Sequence, residues 1–481
     1  MKGRDMSEKP DHRGGRRFEH TIVPGSDGVI SIRVGPNSVC RLSHPDSDVE
    51  SLQLDADSRG EIRLHLSATP DARPLEFVVE ETAEDGTVTR HTLSVTADPD
   101  HWAVPEEPHD TGVQDGVLGE LTPALLEDPR DLSNGELVSR GYPPRPSPDA
   151  PAASRERWRQ LVSKSYRRVG PERTEHPDVR FTKLTDPETV MSPTLPLPPP
   201  SEREVATKLI RSILPYPRQL AESIFNGSSS TWSGAYLDQP AGEFYVVEAD
   251  WRVPRVFPNP IAYSAAAEWV GLGSGPSDLL QSGTDSESFS LLGWTIATYW
   301  MWIEALPYAP WAVTNFPIDP GDQIRVTIFV ADGNGTTWFN EPRGGGLSGR
   351  NDSVWFMLYN TSKGLSYWGT YPTVDPGGRY RFVGNSAEFI VERPSSTRSG
   401  PHPLANFCVT TMRNCGFGDA QYAGKVFPLE PDDGSQPFAA RLSYWNMDNP
   451  ATKNRLATAV SGTDTSSYGG IDLIWVFSSS L

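Results

Sequence analysis

Histidine almost vanishes from the second half of this 481-residue sequence: eight of nine precede position 180, and only His402 follows. A zinc site built from several imidazoles is therefore excluded there, and any Ser-His-Asp or Cys-His arrangement would depend on that one ring. No HExxH, GxSxG or P-loop pattern occurs. The 3 cysteines are too few for a disulfide framework. Cys408 and Cys415 either pair with each other or remain two reduced core thiols. No run of 18 or more apolar residues is present, which argues against a membrane span. The opening stretch "MKGRDMSEKPDHRGGRRFEH" is charged with no apolar segment behind it, unlike a secretory signal. Lys and Arg total 43 against 62 Asp and Glu, a net charge of -19, which argues against nucleic acid as a partner. The same balance also serves solubility alone. Whatever chemistry the second half performs must run on carboxylates, amides, hydroxyls or aromatics, with no metal and no cofactor implied.

What is present is mainly β. Residues 17–102 carry short alternating runs, "GVISIRV", "EIRLHLS", "LEFVVEE" and "RHTLSVT", between turn-forming residues, and read as a small β domain after a disordered 1–16. Residues 103–200 are Pro-rich, ending in "SPTLPLPPPSE", a linker suited to extended polyproline. Inside it the stripe Trp158, Leu161, Val162 and Tyr166 predicts a helix over 152–168. Ser201 and Glu204 form a capping-box signature for a connecting helix over 201–222. From 223 to 481 helical periodicity disappears, 12 of the 14 Trp appear, and β runs recur, predicting an antiparallel sandwich.

Two features of that last region bear on chemistry. Between Arg255 and Arg325 lie 69 residues without a Lys or Arg, yet Glu268, Asp278, Asp285, Glu287, Glu304, Asp319 and Asp322 all fall within. Crowded carboxylates without cations raise one another's pKa, so such a domain suits acid, unless these are scattered surface acids. In "YWMWIEALP", strand alternation sets Trp300, Trp302 and Glu304 on one face. Trp beside Glu serves equally as a core edge, a sugar-stacking platform or the wall of a cleft. In "SAEFIVERP", Glu388, Ile390 and Glu392 share a face, either a solvated outer face or a site.

The order "STWSGAYL" (230–237), "FYVVEADWRVP" (244–254), "AEWVGLG" (267–273), "LLQSGTD" (279–285), "WIEALP" (302–307), "IDPGDQIRVTI" (318–328), "LYNTSKG" (358–364), "NSAEFIVE" (385–392) and "PLANF" (403–407) resembles the glutamic peptidases, or eqolisins. The resemblance spans about 228–425 and more loosely the rest of the C-terminal part; it does not reach residues 1–200. It implies a concanavalin-like β-sandwich (jelly roll) and an acid endopeptidase acting on polypeptide substrates. Matched motif by motif, it places the catalytic glutamine at Gln281 and the catalytic glutamate at Glu392. Trp269, Asp285, Trp302, Glu304 and Glu388 then fall in or beside the cleft. One departure stands out: after "WVG" the family commonly has "IDG", whereas here Gly273 takes the place of the acid.

Two rivals use the same residues. A carbohydrate-binding or glycoside-cleaving jelly roll would employ Glu304 and Glu392 as a carboxyl pair but has no need of Gln281. A catalytically idle sandwich would be a binding module. Residues 140–183 hold 11 Lys or Arg against five Asp or Glu. That stretch is either a solvated linker or an intramolecular cover for the acidic cleft. The family suggests an extracellular or acidic compartment; the lack of a visible signal leaves a cytoplasmic location open.

Overall fold

The computed structural model describes residues 9–10, 15–22, 27–44, 51–68, 72–98, 120–121, 129–146, 148, 152–164, 166–170, 173–176, 179–181, 190–191, 225–238, 244–256, 263–273, 279–331, 353–379, 381–396, 400–407, 409–419, 426–429, 441–449, 455–461 and 470–475. The connecting helix expected over 201–222, the polyproline run before it and most of the expected N-terminal tail lie outside the described residues.

Alternation of apolar and polar residues builds the N-terminal unit. Its strands are β1 (Arg16–Ile22), β2 (Asp27–Arg33), β3 (Val39–Ser43), β4 (Leu52–Asp55), β5 (Glu61–Ala68), β6 (Leu75–Thr82) and β7 (Val88–Ala97). In β5 every second residue, Ile62, Leu64, Leu66 and Ala68, is buried, as a strand with one wet face requires. One sheet runs β1-β7-β6-β3-β4; β2 and β5 pair separately, and the two layers enclose Phe18, Ile32, Phe77 and Leu93.

Two helices follow, α1 (Asn134–Ser139) and α2 (Ala152–Val162). A capping box formed by Ser133 and Glu136 starts α1, a signal in "SNGE" that the sequence reading had passed over. The stripe Trp158, Leu161 and Val162 is buried as expected, but the helix ends at Val162 and not near 168. Beyond it, Arg167–Arg168 pairs in parallel with Leu365–Ser366, and Tyr166 packs on Tyr359 at 5.1 Å between ring centroids. Sheet pairing and aromatic packing thus override the helical stripe.

The remainder is two antiparallel sheets face to face. Their strands are β8 (Trp232–Asp238), β9 (Phe244–Arg252), β10 (Tyr263–Leu272), β11 (Leu280–Leu291), β12 (Trp294–Ala305), β13 (Gln323–Ala331), β14 (Ser353–Asn360), β15 (Leu365–Pro372), β16 (Ser386–Glu392), β17 (Val409–Asp419), β18 (Arg441–Asp448), β19 (Arg455–Ser461) and β20 (Gly470–Trp475). The front sheet runs β18-β8-β16-β10-β11-β12 and the back sheet β20-β17-β9-β13-β14-β15. Strand β19 pairs with both β18 and β20 and joins the two sheets along one edge. Val247, Ala249, Trp251, Val326, Phe389 and Val391 fill the space between.

The two units are not beads on a string. Residues 65–68 of β5 pair with 294–297 of β12, and Phe289, Trp294 and Ile296 enter the N-terminal core. Asp319 adds a polar joint, taking Arg63 and His65 at 3.0 Å each and Lys363 at 2.6 Å. No helix among the described residues is long and apolar enough to cross a membrane.

Candidate active site

Directly opposed residues of antiparallel strands project to the same face, so register sorts the outer side chains of the front sheet into rows. One row is Tyr236, Glu388, Gly271, Gln281 and Glu304. The next is Gly234, Ile390, Trp269, Gly283 and Trp302, and the third is Trp232, Glu392, Ala267, Asp285 and Trp300. All seven residues singled out from the sequence therefore share one face, the side of the sheet away from the core.

The rows also separate them. Strands lie about 4.8 Å apart and successive rows about 7 Å apart. Glu388 and Gln281 occupy the same row with only Gly271 between, roughly 10 Å from backbone to backbone. Glu392 is two strands and two rows from Gln281 on the same face, and its carboxylate is turned toward Trp269 in the row between them.

Local contacts agree with the rows. Gln281 Nε2 donates to Glu304 Oε2, its cross-strand neighbour. Ser386 Oγ donates to Glu388 Oε1 at 2.9 Å. Trp269 Nε1 donates to Glu392 Oε2 at 3.0 Å, which ties that carboxylate to the indole in the row between. Among the described residues, Gln281 Oε1, Trp302 Nε1 and both carboxyl oxygens of Asp285 have no hydrogen-bond partner although buried. Buried polar atoms are rarely left so, and these are placed to be met by water or a ligand.

Glycine shapes the floor. A Cβ at Gly283 would sit 2.0 Å from the Glu268 carbonyl oxygen and 2.6 Å from the Trp269 Cβ. At Gly273, where an acid was expected on family grounds, φ is +94°, a conformation that favours glycine, and its N–H donates to the Ser386 carbonyl at 3.1 Å. The departure is one of backbone as well as of charge.

Burial raises several carboxyls in this part of the front sheet. Burial, with the neighbouring Glu287 and Glu268, drives Asp285 well above the usual carboxylate range. Burial also raises Glu287, against the opposing pull of His176 and hydrogen bonds from Tyr263 and Trp300. Glu268 points the other way, toward Thr284 and the inter-sheet core; burial lifts it to about 8 despite the Thr284 hydroxyl at 2.9 Å.

The basic stretch 140–183 divides into two parts. Arg157 of α2 reaches the outer face of the back sheet, 2.6 Å from Asp250 and 3.3 Å from Glu248, and Arg325 meets Glu248 at 2.9 Å. That helix faces away from the cleft. The cleft is crossed further along: His176 stacks on Trp300 with ring centroids 4.3 Å apart, and Phe181 stacks on Trp302 at 3.9 Å. Sequence reasoning missed both residues, since neither belongs to a motif and both precede the sandwich by more than forty positions.

With this geometry in view, comparisons with known proteins locate the chain. Residues 230–345 match the Peptidase A4 family. The match lies within the part of the chain whose motifs resemble the glutamic peptidases, or eqolisins. Among solved structures, scytalido-glutamic peptidase with a transition state analog inhibitor aligns at 20% identity over 51% of this chain and 98% of that one, with a TM-score of 0.36. SCP-B, an eqolisin in complex with the tripeptide Ala-Ile-His, aligns at 18% identity over 51% and 98%, with a TM-score of 0.34. Aspergilloglutamic peptidase from Aspergillus niger aligns at 21% identity over 44% and 99%, with a TM-score of 0.30. No curated protein matches the chain.

Proposed function

We propose that this protein is an acid endopeptidase in which Glu388 and Gln281 act on one peptide carbonyl. The observation that carries the reading is their shared row, with only Gly271 between them. Hydrolysis without a covalent nucleophile needs a base for water and a donor for the oxyanion. Glu388 as carboxylate takes a proton from water, and the oxygen attacks the carbonyl carbon. The carbonyl oxygen becomes an oxyanion and accepts an N–H from Gln281, whose Nε2 has two hydrogens and spends one on Glu304. The amide does not titrate, so this donor persists at any acidity. Glu388, now protonated, delivers its proton to the leaving nitrogen as the C–N bond breaks.

Glu392 takes a different part here: held by Trp269 and beside Asp285, it belongs to the acid cluster that tunes the far end of the cleft. Burial raises Asp285 and Glu287, so these carboxyls keep their protons in acid, and the reading expects activity to fall as pH rises. The test is cleavage of a denatured protein substrate from strongly acid to neutral pH by the full chain and by Glu388→Gln and Gln281→Ala. Acid-optimal cleavage lost in both variants supports the reading. Cleavage that survives both substitutions overturns it.

A further inference from the structure

Part of the same chain lies against the cleft face of the front sheet. Arg173–Glu175 pairs antiparallel with Trp311–Val313 and so adds a strand to the front sheet beyond β12. Val179–Arg180 pairs antiparallel with Ser395–Ser396, just past the end of β16. Just after the first anchor His176 covers Trp300 in the third row, and just after the second Phe181 covers Trp302 in the second row.

The seat of Phe181 has the character of a side-chain pocket. Phe181 is 1% exposed and shares a cluster with Trp269, Leu279, Trp302, Leu306 and Ile390. Its ring lies 13° from parallel to Trp302, one row from Gln281 and Glu388. A flat apolar site of this shape suits an aromatic side chain presented by an extended peptide.

The third hold comes from outside the sandwich. His176 Nε2 bonds to Asp55 Oδ2 on β4 of the N-terminal domain, and both side chains are nearly buried, at 3% and 10% exposed. Two short ladders of three and two residue pairs are slender anchors. A buried His-Asp pair supplied by another folded unit makes the crossing much harder to lift.

We propose that residues 173–176 and 179–181 belong to a resident peptide ligand of the cleft, with Phe181 in a pocket for aromatic side chains and the N-terminal β domain as the clasp that holds it through Asp55. The peptidase reading supplies the identity of the competitor, an extended polypeptide with an aromatic residue; the occupancy itself does not depend on that reading. A substrate must displace Phe181, so the full chain is restrained until the clasp is released.

The test uses the full chain as wild type, Phe181→Asp and Asp55→Asn, each shown to be folded by circular dichroism and thermal melting. Phe181→Asp puts a charge in an apolar seat and expels the segment; Asp55→Asn weakens the clasp without touching the cleft. The probes are a labelled synthetic peptide RTEHPDVRFT and its copy with Ala in place of Phe, read by fluorescence anisotropy. The wild type should bind neither, because its own segment competes at high effective concentration. Both variants should bind the Phe peptide, roughly tenfold tighter than the Ala peptide. Equal binding by wild type and variants, indifference to the Phe, or no binding by any folded variant would overturn the inference. Phe-dependent binding by the variants, with no cleavage by any chain, would leave it standing and sink the peptidase reading instead.

Discussion

Glu388 and Gln281 face each other across Gly271, the glycine between them in a row of five residues. A Cβ at Gly271 would come within 2.9 Å of Leu279 Cδ1, 3.0 Å of the Trp269 ring and 3.4 Å of the Gln281 Cβ. Gly271→Ala should therefore cost about 1–3 kcal/mol of stability through overpacking. It should also lower kcat/KM by more than the folded fraction accounts for. Unfolding curves and peptide hydrolysis measured on one preparation check this, and full activity per folded molecule would contradict the shared-row mechanism.

Glu388 and Glu392 lie on the same face of β16 but should respond differently to removal of charge. Loss of a general base costs about 10²–10⁴ in rate, the expected result for Glu388→Gln. Gln281→Ala should cost about 10²–10³, as for one oxyanion donor. In Glu392→Gln the new amide oxygen still accepts from Trp269, so the main expected effect is a shifted pH profile with most of the acid-range rate retained. If Glu392→Gln were the silent enzyme and Glu388→Gln the active one, the roles assigned by register would be reversed.

Glu268 gives a stability prediction with a definite sign. Its folded value of about 8 lies above its ordinary 4.5, so the folded state keeps a proton that the unfolded chain releases. Its favourable contribution is full below about pH 4.5 and declines as pH rises toward 8. Glu268→Gln removes that slope, and the substituted chain should gain on the wild type as pH rises through this window. Urea unfolding at several pH values measures the difference. A constant offset would mean that Glu268 is ionised in the folded protein.

His176 has the opposite chemistry. Burial alone would lower its pKa, but the charge and hydrogen bond of Asp55, with help from Glu287, raise it overall above the ordinary 6.5. The pair therefore contributes fully below about pH 6.5 and loses its contribution as pH rises through the raised value. Asp55→Ala should destabilise the protein more at mildly acid than at alkaline pH, as read by melting temperature. Mild acid thus tightens this contact.

Arg157 is enclosed on the back sheet by Glu248, Asp250 and the Asn414 carbonyl. Arg157→Ala leaves buried carboxylates short of a cation and should cost about 3–5 kcal/mol. Combining it with Asp250→Asn should recover part of the loss, a coupling that a double-mutant cycle reads directly. Strict additivity would show that Arg157 and Asp250 act independently.

Much of the sandwich is visible in the residues. "FYVVEADWRV", "QIRVTIFV", "SVWFMLYN" and "AEFIVER" become β9, β13, β14 and β16, because alternation or a run of β-branched and aromatic residues is a local property. Strand period likewise groups Glu388, Ile390 and Glu392 on one side of their strand and Trp300, Trp302 and Glu304 on one side of theirs, and the ladders bring both groups to the same face of the sheet. The expected pair of thiols is half visible: Cys415 is a buried free cysteine, while Cys408 lies outside the described residues.

The sequence by itself determined which residues share a face, since side-chain direction in a strand follows from the two-residue repeat alone. Only the tertiary structure decided which of them meet. Register between β16 and β10 depends on contacts more than a hundred residues apart, and with the neighbouring β11 it sets Glu388 level with Gln281. His176 and Phe181 come to the cleft for the same reason: their partners Asp55, Trp300 and Trp302 are about 120 residues away along the chain. Nothing in a local pattern can encode such a meeting.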